Sequence, residues 1–176
     1  MSKSADAYLR NIVRTYRTYR EMAERAIEQV RSEEDLNREL DENSNSIAII
    51  AKHVSGNLRS RFRDFLTSDG EKPDRNRDSE FESDKHVSRE ELLRGWNAGW
   101  EIAMKSIEAL TADDLERTVR IRSEAMLVVE ALNRSVTHTA YHVGQIVYLA
   151  RHFASSNWKT LSIPKGGSAQ FGVGKQ

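Results

Sequence analysis

The scarcity of helix-breaking residues is the feature that most constrains the fold of this chain. Only two prolines occur in 176 residues, Pro73 and Pro164, and both lie in polar or glycine-containing segments. A proline inside a helix removes a hydrogen bond and clashes with the preceding turn. The long intervals without proline can therefore form long helices, and the sequence predicts a chain built mainly from them.

Four segments repeat apolar residues at the spacing of an amphipathic helix. They run from Tyr8 to Val30, from Ile47 to about Leu66, from the Ser88 capping position to about Leu110, and from about Glu124 to Phe153. Residues 68–87 are polar and rich in turn formers, which is typical of a long loop. The predicted fold is all-α, a four-helix bundle with a long crossover loop between helices two and three.

Shorter signals lie outside these helices. Thr111 to Leu115 predicts a capped single turn, and residues 118–122 alternate enough to predict a short extended piece. Residues 158–176 contain four glycines and one proline, which predicts a non-helical C-terminal tail. A chain of 176 residues is long enough for one core and too short for two domains of ordinary size, so residues 1–176 are expected to form a single domain.

Composition excludes several functional classes. Lys plus Arg and Asp plus Glu number 27 each, so no net charge attracts nucleic acid or an anionic membrane. Cysteine is absent, which excludes disulfides, thiolate nucleophiles and cysteine-ligated metals. The N-terminus carries no apolar signal core, and no stretch has the length of a membrane span. We expect a soluble cytoplasmic protein with neither nucleic-acid nor membrane partners.

Three histidines carry the strongest chemical signal. His138 and His142 lie four residues apart on the apolar face of the fourth predicted helix, so one metal ion can bind both rings. Thr139 stands where a metalloprotease helix needs a glutamate base, which excludes that class. His53, on the second predicted helix, supplies a third imidazole that a bundle can bring across. The alternative is three core histidines, each satisfied by one hydrogen bond.

Three histidine ligands define an open metal site. A structural zinc site uses all four positions, whereas three ligands leave one position for water or substrate. Since neutral imidazoles leave the ion its full charge, the ion lowers the pKa of bound water toward about 7 and polarises substrate oxygen or sulfur. A site of this kind can make or hold a nucleophile.

The wider pattern of motifs resembles a known superfamily over nearly the whole chain. The motifs are Lys52-His53-Val54, Phe65 to Pro73 with Arg77-Asp78, Trp96 and Trp100, Val119 to Glu124, His138-Thr-Ala-Tyr-His142-Val-Gly-Gln145, and Trp158 to Ser168. They resemble the DinB-like superfamily of four-helix-bundle metalloproteins, which includes YfiT-type thiol transferases and mycothiol-dependent maleylpyruvate isomerases. The branch that the chain most resembles consists largely of proteins of unknown function.

The resemblance implies a ligand set and partners. It makes His53, His138 and His142 the ligands of a divalent metal ion, usually zinc or nickel, in a protein that is often a homodimer. The leading hypothesis is a metal-dependent transferase or hydrolase that activates water or a small-molecule substrate such as a low-molecular-weight thiol.

Two other functional classes stay open. One is a non-enzymatic, stress-related binding protein whose metal only stabilises the bundle or a ligand pocket, favoured because no base is evident beside the histidines. The other is an obligate dimer serving as an interaction module, for which the first helix offers Tyr8, Tyr16 and Tyr19.

Several other side chains have two interpretations. Gln145 either orients a metal-bound water or a ligand histidine, or is a packing amide. Tyr141 and Tyr148 either donate hydrogen bonds to a ligand or, as is commoner for tyrosine in bundles, pack at the core or rim. The remaining candidates are expected to be structural or solvated: Trp96, Trp100, Glu124, His86 and His152.

The loop and the tail are the expected entrance to the site. Lys72, Arg75 and Arg77 in the loop can clamp an anionic substrate, although solvated charges are commoner in loops. We expect residues 68–87, residues 158–176 or both to line the entrance. The likeliest suppliers of substrate contacts are Arg75, Arg77, Ser162 and Lys165. The alternative is that both segments only close the bundle.

Overall fold

The computed structural model describes residues 3–82 and 86–170. Five α-helices are present in these residues: α1 Lys3–Gln29, α2 Glu33–Asn37, α3 Ile47–Phe62, α4 Arg89–Glu108 and α5 Val128–Ala154. Strands β1 Thr118–Ile121 and β2 Glu124–Leu127 form a small antiparallel sheet. The expectation of a mainly helical protein is confirmed, and the expected first, second, third and fourth helices correspond to α1, α3, α4 and α5.

The predicted start of the last helix at about Glu124 is wrong, whereas the short extended piece predicted at residues 118–122 is present as β1. Residues 124–127 instead pair with residues 118–121 in a two-stranded hairpin. The connecting residues Arg122 and Ser123 have φ angles of 55° and 67°. Two consecutive positive φ angles are the pattern of the tight turn that matches the twist of paired strands. The chain therefore turns back before Glu124, and α5 begins only at Val128.

Capping residues explain where α3 and α4 begin. The Ser46 hydroxyl accepts a hydrogen bond from the Ile49 N–H at the start of α3, and Ser88 forms the predicted capping box with Glu91 at the start of α4. The predicted capped turn is a 3-10 turn over Ala112–Glu116. Helix α3 ends at Phe62 rather than near Leu66, because the next residue adopts an extended conformation. The short helix α2 was not predicted.

The long helices pack in pairs around one apolar core. Helix α3 contacts α4 and α5, and α1 contacts α5 and α4. Trp96 and Trp100 are buried there, as expected, together with Tyr16. Tyr16 is therefore not part of an exposed tyrosine face on α1. Gly99 permits the close approach of α4 to α3, because a Cβ atom there would lie 2.6 Å from the Ser55 carbonyl oxygen.

The loop and the tail have little regular structure. The connection between α3 and α4 contains a 3-10 turn at Asp78–Phe81, and positions 83–85 of the predicted loop lie outside the described residues. The described part of the tail contains a 3-10 turn at Ser168–Gln170, and positions 171–176 lie outside it. Within the described chain, no helix combines the length and the apolar character needed to cross a membrane.

Candidate metal centre

The structure brings the three predicted histidines together between α3 and α5. Ring nitrogens of His53, His138 and His142 all lie within 4.8 Å of one another. The Nε2 atoms of His53 and His138 are 3.2 Å apart. His53 is buried, and the two rings on α5 are half-buried. Helical spacing aligns the pair on α5, and the contact between the helices supplies the third ring.

Hydrogen bonds on the outer side fix the orientation of two of the rings. His53 Nδ1 lies 2.8 Å from Glu80 Oε2, and His142 Nδ1 lies 2.8 Å from Gln145 Oε1. An ionised carboxylate and an amide oxygen only accept hydrogen bonds, so each Nδ1 carries the proton and donates it. In the neutral form of each ring, Nε2 is then the nitrogen that can coordinate a cation.

This donor set fits a divalent metal ion. Two nitrogens bound to one tetrahedral zinc ion at about 2.0–2.1 Å are about 3.3–3.4 Å apart, close to the observed 3.2 Å between His53 and His138. His138 Nδ1 is buried and has no hydrogen-bond partner within the described chain. Because Nε2 is the atom of His138 that faces His53, an ordered water rather than the shared ion would complete Nδ1. Without a metal, His138 Nε2 can donate a hydrogen bond to His53 Nε2 over the same 3.2 Å, so core histidines with one hydrogen bond each stay the alternative.

Burial keeps two of the rings neutral. Desolvation, reinforced by the neighbouring His142 and His53, lowers the pKa of His138 to about 3. Desolvation also lowers the pKa of His142, against the hydrogen bond that His142 donates to Gln145, which raises it. A neutral imidazole is the form that binds a metal ion. Both rings are therefore ready to coordinate at neutral pH.

A buried ion pair supports His53 from behind. Glu80 is only 6% exposed, and Arg75 donates to its two oxygens over 2.8 and 2.9 Å. Burial alone would raise the pKa of Glu80, but hydrogen bonds from His53 and Arg75 bring it below its usual value. The group is therefore a carboxylate at neutral pH. Sequence reasoning missed Glu80 and expected Arg75 to be a substrate clamp or a solvated charge.

One signal in the sequence could have located Glu80. Gly56 lies in the interior of α3, where glycine destabilises a helix and often marks a close approach of another group. A Cβ atom at Gly56 would overlap the Glu80 carboxylate. The helix therefore carries glycine at the point where the loop inserts its acidic side chain.

A cavity of about 430 Å³ lies beside the histidines. The loop contributes Arg75, Arg77 and Phe81 to its wall, and α5 contributes Ser135 and Tyr141. None of the described tail residues lines it. The loop therefore forms the expected entrance. The expectation that Ser162 and Lys165 contribute is wrong, because neither residue lines the cavity.

Comparison with known proteins identifies the family. A model of a family of proteins of unknown function, DUF1572, matches residues 3–167. The chain belongs to the DUF1572 family. No curated protein and no solved structure matches it. The matched region includes all three histidines and both hydrogen-bonding partners, but the family description names no activity.

The remaining predicted residues of this DUF1572 protein divide between the site and the solvent. Gln145 contacts a ligand candidate, His142, as one of its two interpretations required. Tyr141 and Tyr148 are 64% and 72% exposed, which excludes packing in the core, and Tyr141 lines the cavity. His86 and His152 are exposed, as expected.

The arrangement in the DUF1572 chain combines three nitrogen donors with an accessible cavity. Described residues that line the cavity include no aspartate or glutamate. A carboxylate base at the reacting end is therefore absent from this wall, and the histidines are the principal candidates for chemistry.

Proposed function

We propose that this chain binds one divalent metal ion through His53, His138 and His142 within a DinB-like four-helix bundle. The contacts of α3 with α4 and α5, and of α1 with α4 and α5, support the bundle. The long connection between α3 and α4 supports the crossover loop. The resemblance of the motifs to DinB-like proteins supports the same arrangement.

The proposed activity is that of a metal-dependent transferase or hydrolase. The observation that carries it is the convergence of three histidine nitrogens beside an accessible cavity of about 430 Å³. Three ligands suit an open, catalytic type of site. The ion supplies Lewis acidity that polarises a substrate oxygen or sulfur. Glu80 and Gln145 orient two ligand rings, and burial keeps His138 and His142 neutral.

The finer properties of the site stay predictions. Zinc and nickel are the expected metals, and both suit imidazole ligands. A low-molecular-weight thiol is the expected small-molecule partner. The homodimeric state and the cytoplasmic location likewise come from the sequence and its resemblance.

Metal binding is tested by elemental analysis and by chelator competition on the purified protein. We expect one zinc or nickel ion per chain and loss of stoichiometric binding in His142→Ala. His152→Ala, on the same helix with an exposed side chain, is the matched control and should retain full occupancy. Full occupancy in His142→Ala would show that the ligand set is wrong.

Activity is tested on protein stripped of metal and refilled with zinc or nickel. The substrates are low-molecular-weight thiols with electrophiles, and simple amides and esters. We expect turnover with at least one of these classes, lost on metal removal and in His142→Ala. Full metal occupancy without turnover in any class would remove the enzyme proposal and leave metal binding in place.

A second candidate function is a binding protein in which the metal has a structural role. The absence of a carboxylate from the described lining residues favours it, because a general base is not positioned at the cavity. Cobalt-substituted protein distinguishes the two candidates. A visible spectrum that changes on adding azide or a small thiol indicates an open ligand position, whereas an unchanged spectrum favours the structural role.

A further inference from the structure

The cavity beside the histidines has an excess of positive charge. Five arginines are among its lining residues, and the described lining contains no carboxylate: Arg61, Arg75, Arg77, Arg122 and Arg134. These side chains come from α3, the loop, the hairpin and α5. Elements distant in sequence therefore place the same chemical group around one space.

The carboxylates behind this wall are too few to neutralise it. Glu71 is shared, since its carboxylate lies 3.1 Å from Arg61, 2.9 Å from Arg122 and 3.5 Å from Arg75. Glu80 pairs with Arg75 and also accepts from His53. A single carboxylate is thus the nearest counter-charge for both Arg61 and Arg122. Positive charge remains uncompensated at the cavity.

Two of the arginines have only loose ion-pair partners. Arg77 lies 3.6 Å from Asp78, whose side chain is 95% exposed, and Arg134 lies 3.4 Å from the exposed Glu124. Exposed pairs at such distances contribute little energy. The Arg77 guanidinium also lies 4.8 Å from the centre of the Phe81 ring, which keeps it at the cavity wall. Arg134 also lies one helical turn before His138 on α5. Both guanidinium groups can therefore exchange these partners for a ligand.

Burial makes this excess charge unfavourable without a ligand. The Arg61 side chain is only 11% exposed, and desolvation lowers its pKa. Ser135, which is 5% exposed and also lines the cavity, has the Tyr16 hydroxyl of α1 as its neighbouring partner. An anion in the cavity would provide a counter-charge for the arginines.

We propose that the substrate is a small organic anion, held by Arg77 and Arg134 through a carboxylate or phosphate group. Planar guanidinium groups bind both kinds of oxyanion through paired hydrogen bonds. The volume of about 430 Å³ suits a small molecule, and Phe81 and Tyr141 offer it aromatic surface. This inference rests on the proposed function in one respect, which is that the substrate reacts at the site formed by the three histidines.

Isothermal titration calorimetry at constant ionic strength tests this inference on metal-free and zinc-loaded protein. The probes are benzoate, phenyl phosphate and the uncharged benzamide, which has nearly the shape of benzoate. We expect at least one anion to bind both forms of the protein, at least about tenfold more tightly than benzamide. The preferred anion identifies the group as carboxylate or phosphate.

Variants then locate the anion. Arg77→Gln and Arg134→Gln should each weaken anion binding about tenfold, since a charged hydrogen bond is worth about 1.5–3 kcal/mol. Arg134→Lys keeps the positive charge but lacks the paired N–H donors of a guanidinium, so it should weaken anion binding less than Arg134→Gln does. Arg151→Gln, an exposed position on the same helix outside the cavity lining, is the control. All four variants should keep the wild-type circular dichroism spectrum.

The outcomes separate this inference from the metal proposal. Equal affinity for benzoate, phenyl phosphate and benzamide would overturn it, as would anion binding unchanged in the Arg77→Gln/Arg134→Gln double variant. Binding seen only with zinc and insensitive to the arginines would place the anion on the metal and also overturn it. Anion binding to a metal-free His142→Ala variant would support the inference even if metal occupancy were never observed.

Discussion

The loop between α3 and α4 and the C-terminal tail differ in structure although their sequences have the same character. Both are polar, rich in turn formers and charged, and both were expected to lie at the entrance to the site. The loop buries Lys72 and Glu80 against the helices and lines the cavity. The tail leaves Ser162 and Lys165 exposed. Composition alone therefore does not distinguish a segment that builds a site from one that covers a surface.

The difference lies in the partners that each segment meets. Asp69 in the loop accepts hydrogen bonds from the N–H groups of Arg122 and Ser123, and the Gly70 N–H donates to the Arg120 carbonyl. The tail has fewer anchors, chiefly the backbone of Lys159 against the Gln29 side chain. A charged loop becomes part of the structure where other elements offer complementary groups.

Removing the loop's central carboxylate should have the largest effect. Glu80→Ala leaves Arg75 buried without its main counter-charge and His53 without the acceptor that orients it. Breaking a buried ion pair costs about 3–5 kcal/mol of unfolding free energy, and loss of a ligand's outer partner lowers metal affinity about 10–100-fold. Urea unfolding of the metal-free protein and chelator competition measure the two effects.

Two variants control for this experiment. The glutamine of Glu80→Gln fits the space beside Gly56 and keeps an oxygen that accepts from His53. This variant should therefore lose less metal affinity than Glu80→Ala. Glu82→Ala removes an exposed carboxylate from the same loop and should change neither measurement. If Glu80→Ala behaved like Glu82→Ala, the loop would be no more structural than the tail.

Local signals account for the parts of the fold that the sequence predicted. The Ser88 and Glu91 capping box, the N-cap at Ser46 and the apolar spacing of α5 are properties of neighbouring residues, and the structure contains all three. The convergence of His138 and His142 follows from the same helical spacing. Short-range patterns thus predicted the helices and the position of His138 relative to His142.

Long-range contacts account for the parts that were missed. The hairpin turn at Arg122 and Ser123 lacks the usual Asn-Gly signal, and a distant side chain, Asp69, binds its amides. Glu80 is buried only because Gly56 and Arg75 accommodate it. Neither partnership has a periodicity along the chain, so a single sequence offers only the glycine within α3 as a hint.

Acid should destabilise the loop through its carboxylates. Burial would raise the pKa of Glu71, but Arg122 and Arg61 lower it overall. The pKa of Asp69 is lowered by hydrogen bonds that its carboxylate accepts from backbone N–H groups, first that of residue Glu71. Unfolded carboxyl groups titrate at about 3.9–4.3. Below this range the unfolded chain binds protons first, so the unfolding free energy falls as the pH falls. Glu71→Gln should flatten this part of the urea-unfolding profile.

His138 should also lower the unfolding free energy as the pH falls, over a window that begins at a higher pH. His138 titrates at about 3 in the folded metal-free protein and at about 6.5 when unfolded. Between these values the unfolded chain again binds more protons, so stability declines as the pH falls from about 6.5. His138→Gln should flatten the profile from about pH 6.5 to about pH 3, and the part above about pH 5 separates its effect from that of the carboxylates. A tail-truncated chain with an altered profile in either window would contradict the contrast between loop and tail.

The loop's contact with the hairpin should have an intermediate effect. Asp69→Ala removes the acceptor of two turn amides at residues with positive φ, and loss of a comparable backbone cap costs about 0.5–2 kcal/mol. Faster hydrogen exchange should be confined to residues 118–127 and the adjoining loop. Asp78→Ala, which removes an exposed loop carboxylate, is the control. Unchanged exchange in Asp69→Ala would show that the hairpin holds its turn without the loop.

Shortening the tail should have the smallest effect. A stop after Ser162 keeps Trp158 and Leu161, which pack against the core, and removes only residues that do not line the cavity within the described chain. Surface changes of this kind usually alter stability by less than about 0.5 kcal/mol. Metal occupancy, benzoate and phenyl phosphate affinity, and any turnover should equal those of the full chain in parallel assays. A selective loss of anion affinity or turnover would restore the tail as part of the substrate site and remove the distinction between the two segments.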